Sequence, residues 1–357
     1  MTETVLRVWK VKVPSRLALR LEDLHAPSLL VARRMLKNRH ESSSSFYHEI
    51  PCVISKSLID KYQRNRRCKN IRNLVLPVCG DKGKQIKLVD GGIRVPAIFH
   101  KEVLPIVFPL PVHGFIRCVE FFKREGQWYA SVCYNTPKAK TIDCCGVVGV
   151  DRNSVGNIAV MADVQTGKVL KLGFSPAPTK RAMRGRRSNL QRARKFRLLA
   201  KIRRRQRRRM THENHRVSKS IVNYAAEHRL AVAIENLAGV RKPGSRIRKY
   251  SEKNQWAFAQ LETFLRYKCA LRGIPVIAVN PAYTSQDCSR CGSRHKPSGK
   301  IFHCATCGHN SHRDVNAAYN IGARALSVFT TGGSSSGLNV SGLGPIGSPQ
   351  GGKEFAS

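Results

Sequence analysis

Four cysteines fall in two tight pairs, Cys288/Cys291 and Cys304/Cys307, with twelve residues between the pairs and a glycine directly after each one (Gly292, Gly308). A two-residue gap lets both sulfurs of a pair converge on one ion, and the glycine permits the turn that aims backbone amides at the thiolates. Two such knuckles close a tetrahedral four-thiolate zinc site with no open position, so this zinc would be structural rather than catalytic. The alternative, four unliganded thiols on a loop, is disfavoured by the spacing. His303, His309 and His312 lie close enough in sequence to substitute as ligands, but such histidines are more often surface or polar-network residues.

Acidic residues are scarce, 22 against 64 Lys and Arg, so the position of each carries weight. Asp151 ends the short apolar run Gly146–Val150, Glu235 ends the apolar run Leu230–Ile234, and Asp314 opens a helical pattern just after the second cysteine pair. Neighbouring strands sit about 4.8 Å apart, so carboxylates at adjacent strand ends can reach a pair of divalent ions. Mg²⁺ or Mn²⁺ prefers such oxygen ligands, and without a cation like-charge repulsion would neutralise part of the cluster. Each acid also has an ordinary reading: Asp151 as a turn starter, Glu235 at a solvated strand end, Asp314 as a helix cap. Periodicity does not choose these three over Asp143, Asp163, Glu213 or Glu262.

The elements that must position these side chains follow from hydrophobic patterning. Val5–Val13 reads as a strand, Ser28–Lys37 and Val53–Arg66 as helices separated by the loop Ser42–Ser45. Two hairpins follow, one around Asp90-Gly91-Gly92 and one around Glu125-Gly126. A small antiparallel β-barrel with a helical insertion accommodates that order. From Gly146 onward the order becomes three strands (Gly146–Val150, Gly156–Ala162, Lys168–Phe174), a helix at Val217–His228, the strand Leu230–Ile234, a helix at Trp256–Leu271 and the strand Ile274–Val279. Asp314–Leu326 is a last helix. That order, shared by ribonuclease-H-like nucleases, makes Asp151 and Glu235 neighbours in one sheet. From Thr330 Gly, Ser and Pro dominate, which predicts a disordered tail.

The net charge of +42 on 357 residues predicts a polyanionic partner, while 41% hydrophobic residues suffice for folded cores. Residues 164–212 contain no acid, and 16 of the 30 residues from Lys180 to Arg209 are Lys or Arg, the strongest nucleic-acid footprint in the chain. No signal peptide or membrane-spanning run is evident, so a soluble, intracellular (cytoplasmic) protein without a membrane partner is expected. The other eight cysteines are scattered and read as reduced thiols. Trp128 and Tyr283 could stack on bases, but the core reading is favoured for both.

The segments GVVGVDRNSVGNIAV, AVAIENLAGVR, NPAYTSQDCSRCG and HCATCGHNSHRDVNAAYNI resemble the RuvC motifs and inserted zinc ribbon of the TnpB family, transposon-encoded RNA-guided DNA nucleases related to compact type V CRISPR effectors. The likeness spans residues 146–326. It implies that Asp151, Glu235 and Asp314 bind catalytic Mg²⁺ or Mn²⁺, and that Cys288, Cys291, Cys304 and Cys307 bind zinc. It also implies a helical hairpin along a guide–target heteroduplex, with Arg186, Arg187, Arg192 and Arg194 as candidate contacts. Where many relatives have an apolar residue and Gly after the first Asp, this chain has Arg152-Asn153, a guanidinium placed either beside the metal cluster or toward solvent.

The expected fold is therefore α/β plus β-barrel. Residues 1–145 would form an oligonucleotide-binding wedge-type barrel with a helical recognition part at about 25–80. Residues 146–282 and 313–327 would form a RuvC-like, ribonuclease-H-like nuclease domain, interrupted by a zinc ribbon at 283–312 and followed by a tail at 328–357. The expected function is an RNA-guided, metal-dependent endonuclease of a transposon, with guide RNA and target double-stranded DNA as partners, cutting beside a short adjacent motif through a two-metal site. A catalytically silent RNA-guided repressor or a transposition accessory protein is the alternative; retention of all three acids favours the nuclease, and no HUH histidine pair with a catalytic tyrosine is present.

Overall fold

The computed structural model describes residues 4–66, 68–153, 156–174, 177–237 and 248–331. The chain divides into two units, Met1–Lys138 and Ala139–Ser357. Among the described residues no helix is long and apolar enough to cross a membrane.

In the first unit, β1 (Thr4–Lys12) leads into α1 (Ser15–Lys37), α2 (Cys52–Leu58) and β2 (Val75–Cys79). A small sheet follows, made of β3 (Lys87–Val89), β4 (Gly92–Arg94) and, after the helical turn α3 (Pro96–Phe99), β5 (Val103–Pro105). The hairpin of β6 (Ile116–Arg124) and β7 (Gln127–Pro137) closes the unit. Alternation sets the packing: Trp128, Ala130, Val132 and Tyr134 of β7 all face inward, where they meet Leu17, Leu21, Val31 and Met35 of α1 and Ile54 and Leu58 of α2. The large sheet runs β1-β7-β6-β2, antiparallel throughout.

Two expectations change here. The antiparallel barrel is not formed: both sheets of this unit are open, and among the described residues no sheet closes on itself. The helices α1 and α2 cover the inner face, so the apolar side of the sheet is buried without the strands curling round to meet. Second, α1 begins at Ser15 rather than Ser28 and passes through Pro27. Leu17, Leu21 and Leu24 lie at helical spacing ahead of the proline, and their burial or half-burial in the core outweighs the one lost backbone hydrogen bond.

In the second unit, β8 (Gly146–Arg152), β9 (Asn157–Asp163) and β10 (Val169–Phe174) form an antiparallel meander. Then come α4 (Ala177–Arg192), α5 (Phe196–Glu227), β11 (Leu230–Glu235), α6 (Arg248–Ala270) and β12 (Val276–Val279). The sheet order is β10-β9-β8-β11-β12, with β11 parallel to both β8 and β12. The chain order is the one expected from the sequence pattern, and β8 and β11, which carry Asp151 and Glu235, are neighbours in the sheet as expected. Val148, Val150, Val232 and Ile234 face a core shared with Val217, Ile221 and Ala225 of α5 and Leu261 and Leu265 of α6. The opposite face carries Val147, Ala231 and Ala233, packed on Ile321 and Ala325 of the last helix.

Between β12 and that helix lie the cysteine pairs and the two short strands β13 (Ile301–His303) and β14 (Asn310–His312). The last helix, α7 (Arg313–Thr331), extends five residues beyond the expected Leu326 and past the expected start of the tail at 328. The rest of that tail, residues 332–357, lies outside the described residues.

Candidate active site and four-cysteine centre

Close backbone approach fixes where α7 sits. A Cβ on Gly149 of β8 would lie 2.0 Å from the Ala318 carbonyl oxygen and 2.5 Å from the Gly322 nitrogen, so only glycine lets the helix rest on the strand. Side chains two apart on a strand share a face, so Asp151 points to the same side as Gly149. From Gly149 to Asp151 is about 6.6 Å along a strand, and from Ala318 back to Asp314 about 6 Å along a helix. The two carboxylates therefore reach the same level. Glu235 follows Ile234, which is in register with Val150, and shares a face with Ala233, again the α7 side.

Three residues separated by 84 and 79 positions are thus brought to one end of one sheet face. Asp151 is 8% exposed and Asp314 2%, while Glu235 is partly buried. Burial, then the negative charge of Glu235, push the Asp151 carboxyl up to about 7; the Asn153 amide opposes this, Asp314 adds to it and Lys300 opposes it again. Each acid has its own partner. The Asn153 amide donates to Asp151 at 2.9 Å, the Thr284 hydroxyl to Glu235 Oε1 at 2.6 Å, and Lys300 Nζ to Asp314 Oδ2 at 2.5 Å, with Arg313 on the other oxygen at 3.3 Å. So held, the three converge without reaching joint ligation distance. The four cysteines are, among the described residues, the one set of three or more Cys, His, Asp or Glu whose ligand atoms all lie within 4.8 Å of one another.

The cysteine centre has matched halves. Gly292 N–H donates to the Cys288 carbonyl and Gly308 N–H to that of Cys304, while Cys288 N–H and Cys304 N–H donate to Ser293 and His309 carbonyls. Gly292 and Gly308 adopt φ of +78° and +68°, the left-handed turn that the sequence pattern calls for. The cross pairs Cys288–Cys307 and Cys291–Cys304 stand 3.7 and 3.5 Å apart, sulfur to sulfur. A tetrahedron with zinc–sulfur bonds of about 2.3 Å has edges of about 3.8 Å, so the donor set fits a four-thiolate zinc ion. His303, His309 and His312 are not needed; His312 Nδ1 instead accepts from the Asp314 N–H at 3.3 Å.

Arg152 takes neither position expected of it. Its side chain is 1% exposed, points to the face opposite Asp151, pairs with Glu262 Oε2 at 2.8 Å and donates to the Glu235 carbonyl at 2.7 Å. It braces the strand end that carries Glu235 from behind. Trp128 is core, its indole N–H donating to Glu22 at 2.8 Å, whereas Tyr283 is 49% exposed and overturns its core reading. Arg186 and Arg187 lie on α4, Arg192 ends it, and Arg194 sits in the α4–α5 turn at φ +51°; Arg187 is half-buried and the others are exposed. The basic run continues onto the first half of α5, where Arg203, Arg204, Arg205, Arg207, Arg208 and Arg209 are exposed.

Pattern reading passed over Asn316 and Asn320. Asn316 bridges the knuckle, donating to the Asp287 carbonyl at 2.7 Å and accepting from Ser289 N–H at 2.9 Å; Asn320 donates to the Thr284 and Asp287 carbonyls at 2.8 and 2.6 Å. Their four-residue spacing, a polar pair inside an apolar helix, was the available signal.

The second unit thus combines a mixed five-stranded sheet, three carboxylates at one end of one of its faces and an adjoining four-cysteine centre. The family profile described as Cas12f1-like, TNB domain matches residues 258–321. The CRISPR-associated endodeoxyribonuclease Cas12f2 of a Micrarchaeota archaeon is 26% identical over 308 residues, covering 71% of this chain and 57% of that protein. Proteins of Methanocaldococcus jannaschii also match. The TnpB-like protein MJ0751 is 29% identical over 134 residues, 37% of this chain and 48% of that one. The putative transposase MJ0856.1 is 35% identical over 77 residues, 18% of this chain and 70% of that one. The chain belongs to the TnpB and compact type V effector family. It spans about half the length of two Cas12f proteins it matches, 57% and 50%.

Proposed function

We propose that the chain is an RNA-guided, divalent-metal-dependent DNA endonuclease of a transposon. The observation that carries this reading is the convergence of Asp151, Glu235 and Asp314 on one face, with Asp151 buried deeply enough to hold its proton near neutrality unless a cation compensates its charge. Family membership supports a DNA substrate and a guide, since its relatives include endodeoxyribonucleases and a putative RNA-guided DNA endonuclease. Bound Mg²⁺ or Mn²⁺ would supply an activated water and stabilise the leaving oxygen. The chain's own residues would hold and orient: Asp151, Glu235 and Asp314 would ligate the ions, Thr284 would fix the rotamer of Glu235, and Lys300 and Arg313 would release Asp314 as the cations take over its charge.

In this reading the zinc ribbon spans residues 283–312 within the nuclease domain. Residues 1–145 hold the guide RNA on the open four-stranded sheet with its helical part, and Arg186, Arg187, Arg192 and Arg194 line the heteroduplex. Base pairing supplies sequence choice, and the basic helices supply phosphate affinity that falls steeply with salt. The deciding experiment purifies the protein with its co-purifying RNA, sequences that RNA and supplies a matching target with Mg²⁺. Asp151→Ala should abolish cutting while RNA-dependent target binding persists. Cutting that is equally efficient without RNA would overturn guidance; binding with no cutting by the unaltered protein would leave the silent repressor.

A further inference from the structure

Tyr283 is exposed, yet it is held in a conformation that an exposed tyrosine has no intrinsic reason to adopt. Its φ is +61°, a left-handed backbone rare for a bulky residue and concentrated at functional sites. One face of its ring is covered by the Arg294 guanidinium, 3.5 Å from the ring centroid. Arg294 is itself fixed, Nε donating to Asp287 Oδ1 at 2.8 Å, and the other Asp287 oxygen accepts from Arg324 at 2.8 Å. Arg324 also donates to the carbonyls of Asn280 and Ala282, on the chain just before the tyrosine. The ring is therefore anchored from behind by a chain of ionic hydrogen bonds rooted in α7.

The next residue, Thr284, donates to Glu235. Consecutive Cα atoms are about 3.8 Å apart, so the platform stands one residue from a side chain bonded to Glu235, within the reach of a few nucleotides of the same strand. From this we propose that Tyr283, backed by Arg294, is a stacking platform for an unpaired nucleobase of the strand being cut, and so a positioning residue for the phosphate at Asp151, Glu235 and Asp314. The inference rests on the nuclease reading and specifies its substrate: a base in a duplex has both faces occupied, so the platform selects a single-stranded segment. The guanidinium stiffens the ring and adds a positive charge that the strand's phosphates favour.

The test uses the full protein with its guide RNA and three chains: unaltered, Tyr283→Phe and Tyr283→Asn. Asparagine removes the ring yet tolerates the left-handed backbone, and retained zinc content reports that the neighbouring knuckle is intact. Base–aromatic stacking predicts that Tyr283→Asn lowers kcat/KM on the order of 10- to 100-fold, with Tyr283→Phe within roughly threefold of the unaltered protein. Targets carrying a single abasic nucleotide at each position near the cut supply the readout that a merely structural role would not move. One position should slow the unaltered protein and leave Tyr283→Asn unaffected. A 2-aminopurine at that position in a short single strand should be quenched by the unaltered protein and not by Tyr283→Asn. Equal sensitivity of both proteins to every abasic position, or equal quenching, overturns the platform. Quenching by an unaltered protein that cuts nothing would instead overturn the nuclease reading and leave the platform standing.

Discussion

Replacing Asp151 with asparagine should stabilise the protein when Mg²⁺ and Mn²⁺ are absent, and only above acid pH. The folded chain raises this carboxyl from 3.8 to about 7, chiefly by burial and then by Glu235. Between those values the folded state keeps a proton that the unfolded state has released, so stability falls as pH rises through the window and levels off above it. A shift of about three units corresponds to at most about 4 kcal/mol, and relaxation of the site makes about 2–4 kcal/mol a fair expectation. For a unit of this size that is on the order of 5–10 °C in melting temperature. The assay is thermal unfolding in buffers free of Mg²⁺ and Mn²⁺ but retaining zinc, from pH 4 to pH 8. The asparagine chain should melt higher at pH 8, with the advantage vanishing toward pH 4. Adding Mg²⁺ at pH 8 should raise the melting temperature of the unaltered chain and leave the variant where it was. An advantage of the same size at every pH would show that packing rather than charge is responsible, and no advantage at pH 8 would refute the argument that burial strains this carboxylate.

Three further outcomes follow from contacts around the site. Gly149→Ala must push α7 off β8, because its Cβ would meet the Ala318 carbonyl at 2.0 Å; a loss of about 1–3 kcal/mol and at least a roughly tenfold drop in cutting are expected, with RNA retention unchanged, measured by denaturation and cleavage assays. Arg152→Ala removes a buried ion pair and the donor to the Glu235 carbonyl, for about 2–4 kcal/mol by urea unfolding, and Arg152→Lys should not restore it because one ammonium cannot span both acceptors. Cys304→Ser should reduce zinc to background by metal analysis and, through the Ser289–Asn316 and Asp287–Asn316 bonds, impair cutting as well as metal retention.

How much of this could be read from residues alone depends on whether the information was local. The knuckles were legible because the whole requirement, two sulfurs and a left-handed glycine, fits in five residues, and the sulfurs do meet as the spacing demands. The chain order of the strands was legible because Gly146–Val150, Leu230–Ile234 and Val276–Val279 are apolar runs bounded by turns. Three features were not. Pro27 inside α1 reads as a break, since only the tertiary burial of Leu17 and Leu21 shows the helix continuing through it. Closure of the first sheet depends on strand curvature and on which elements cover its face, neither of which a pattern of alternation records. The side to which Arg152 points follows from β8 parity, but reading it required knowing that Gly149, and so Asp151, faces α7.

The same parity explains why the site is built from parts so far apart in sequence. Asp151 and Glu235 need α7 on their own face to bring Asp314, and α7 can lie there only because that face is paved with Gly149, Ala231 and Ala233. The helix is then tied to the cysteine module by Asn316 and to Thr284 by Asn320, and Thr284 holds Glu235. The four-cysteine module is therefore linked to Glu235 by a continuous run of hydrogen bonds, although none of its cysteines touches the carboxylates. Asn316 and Asn320 are the α7 side chains that make this link, both bonded to the Asp287 carbonyl.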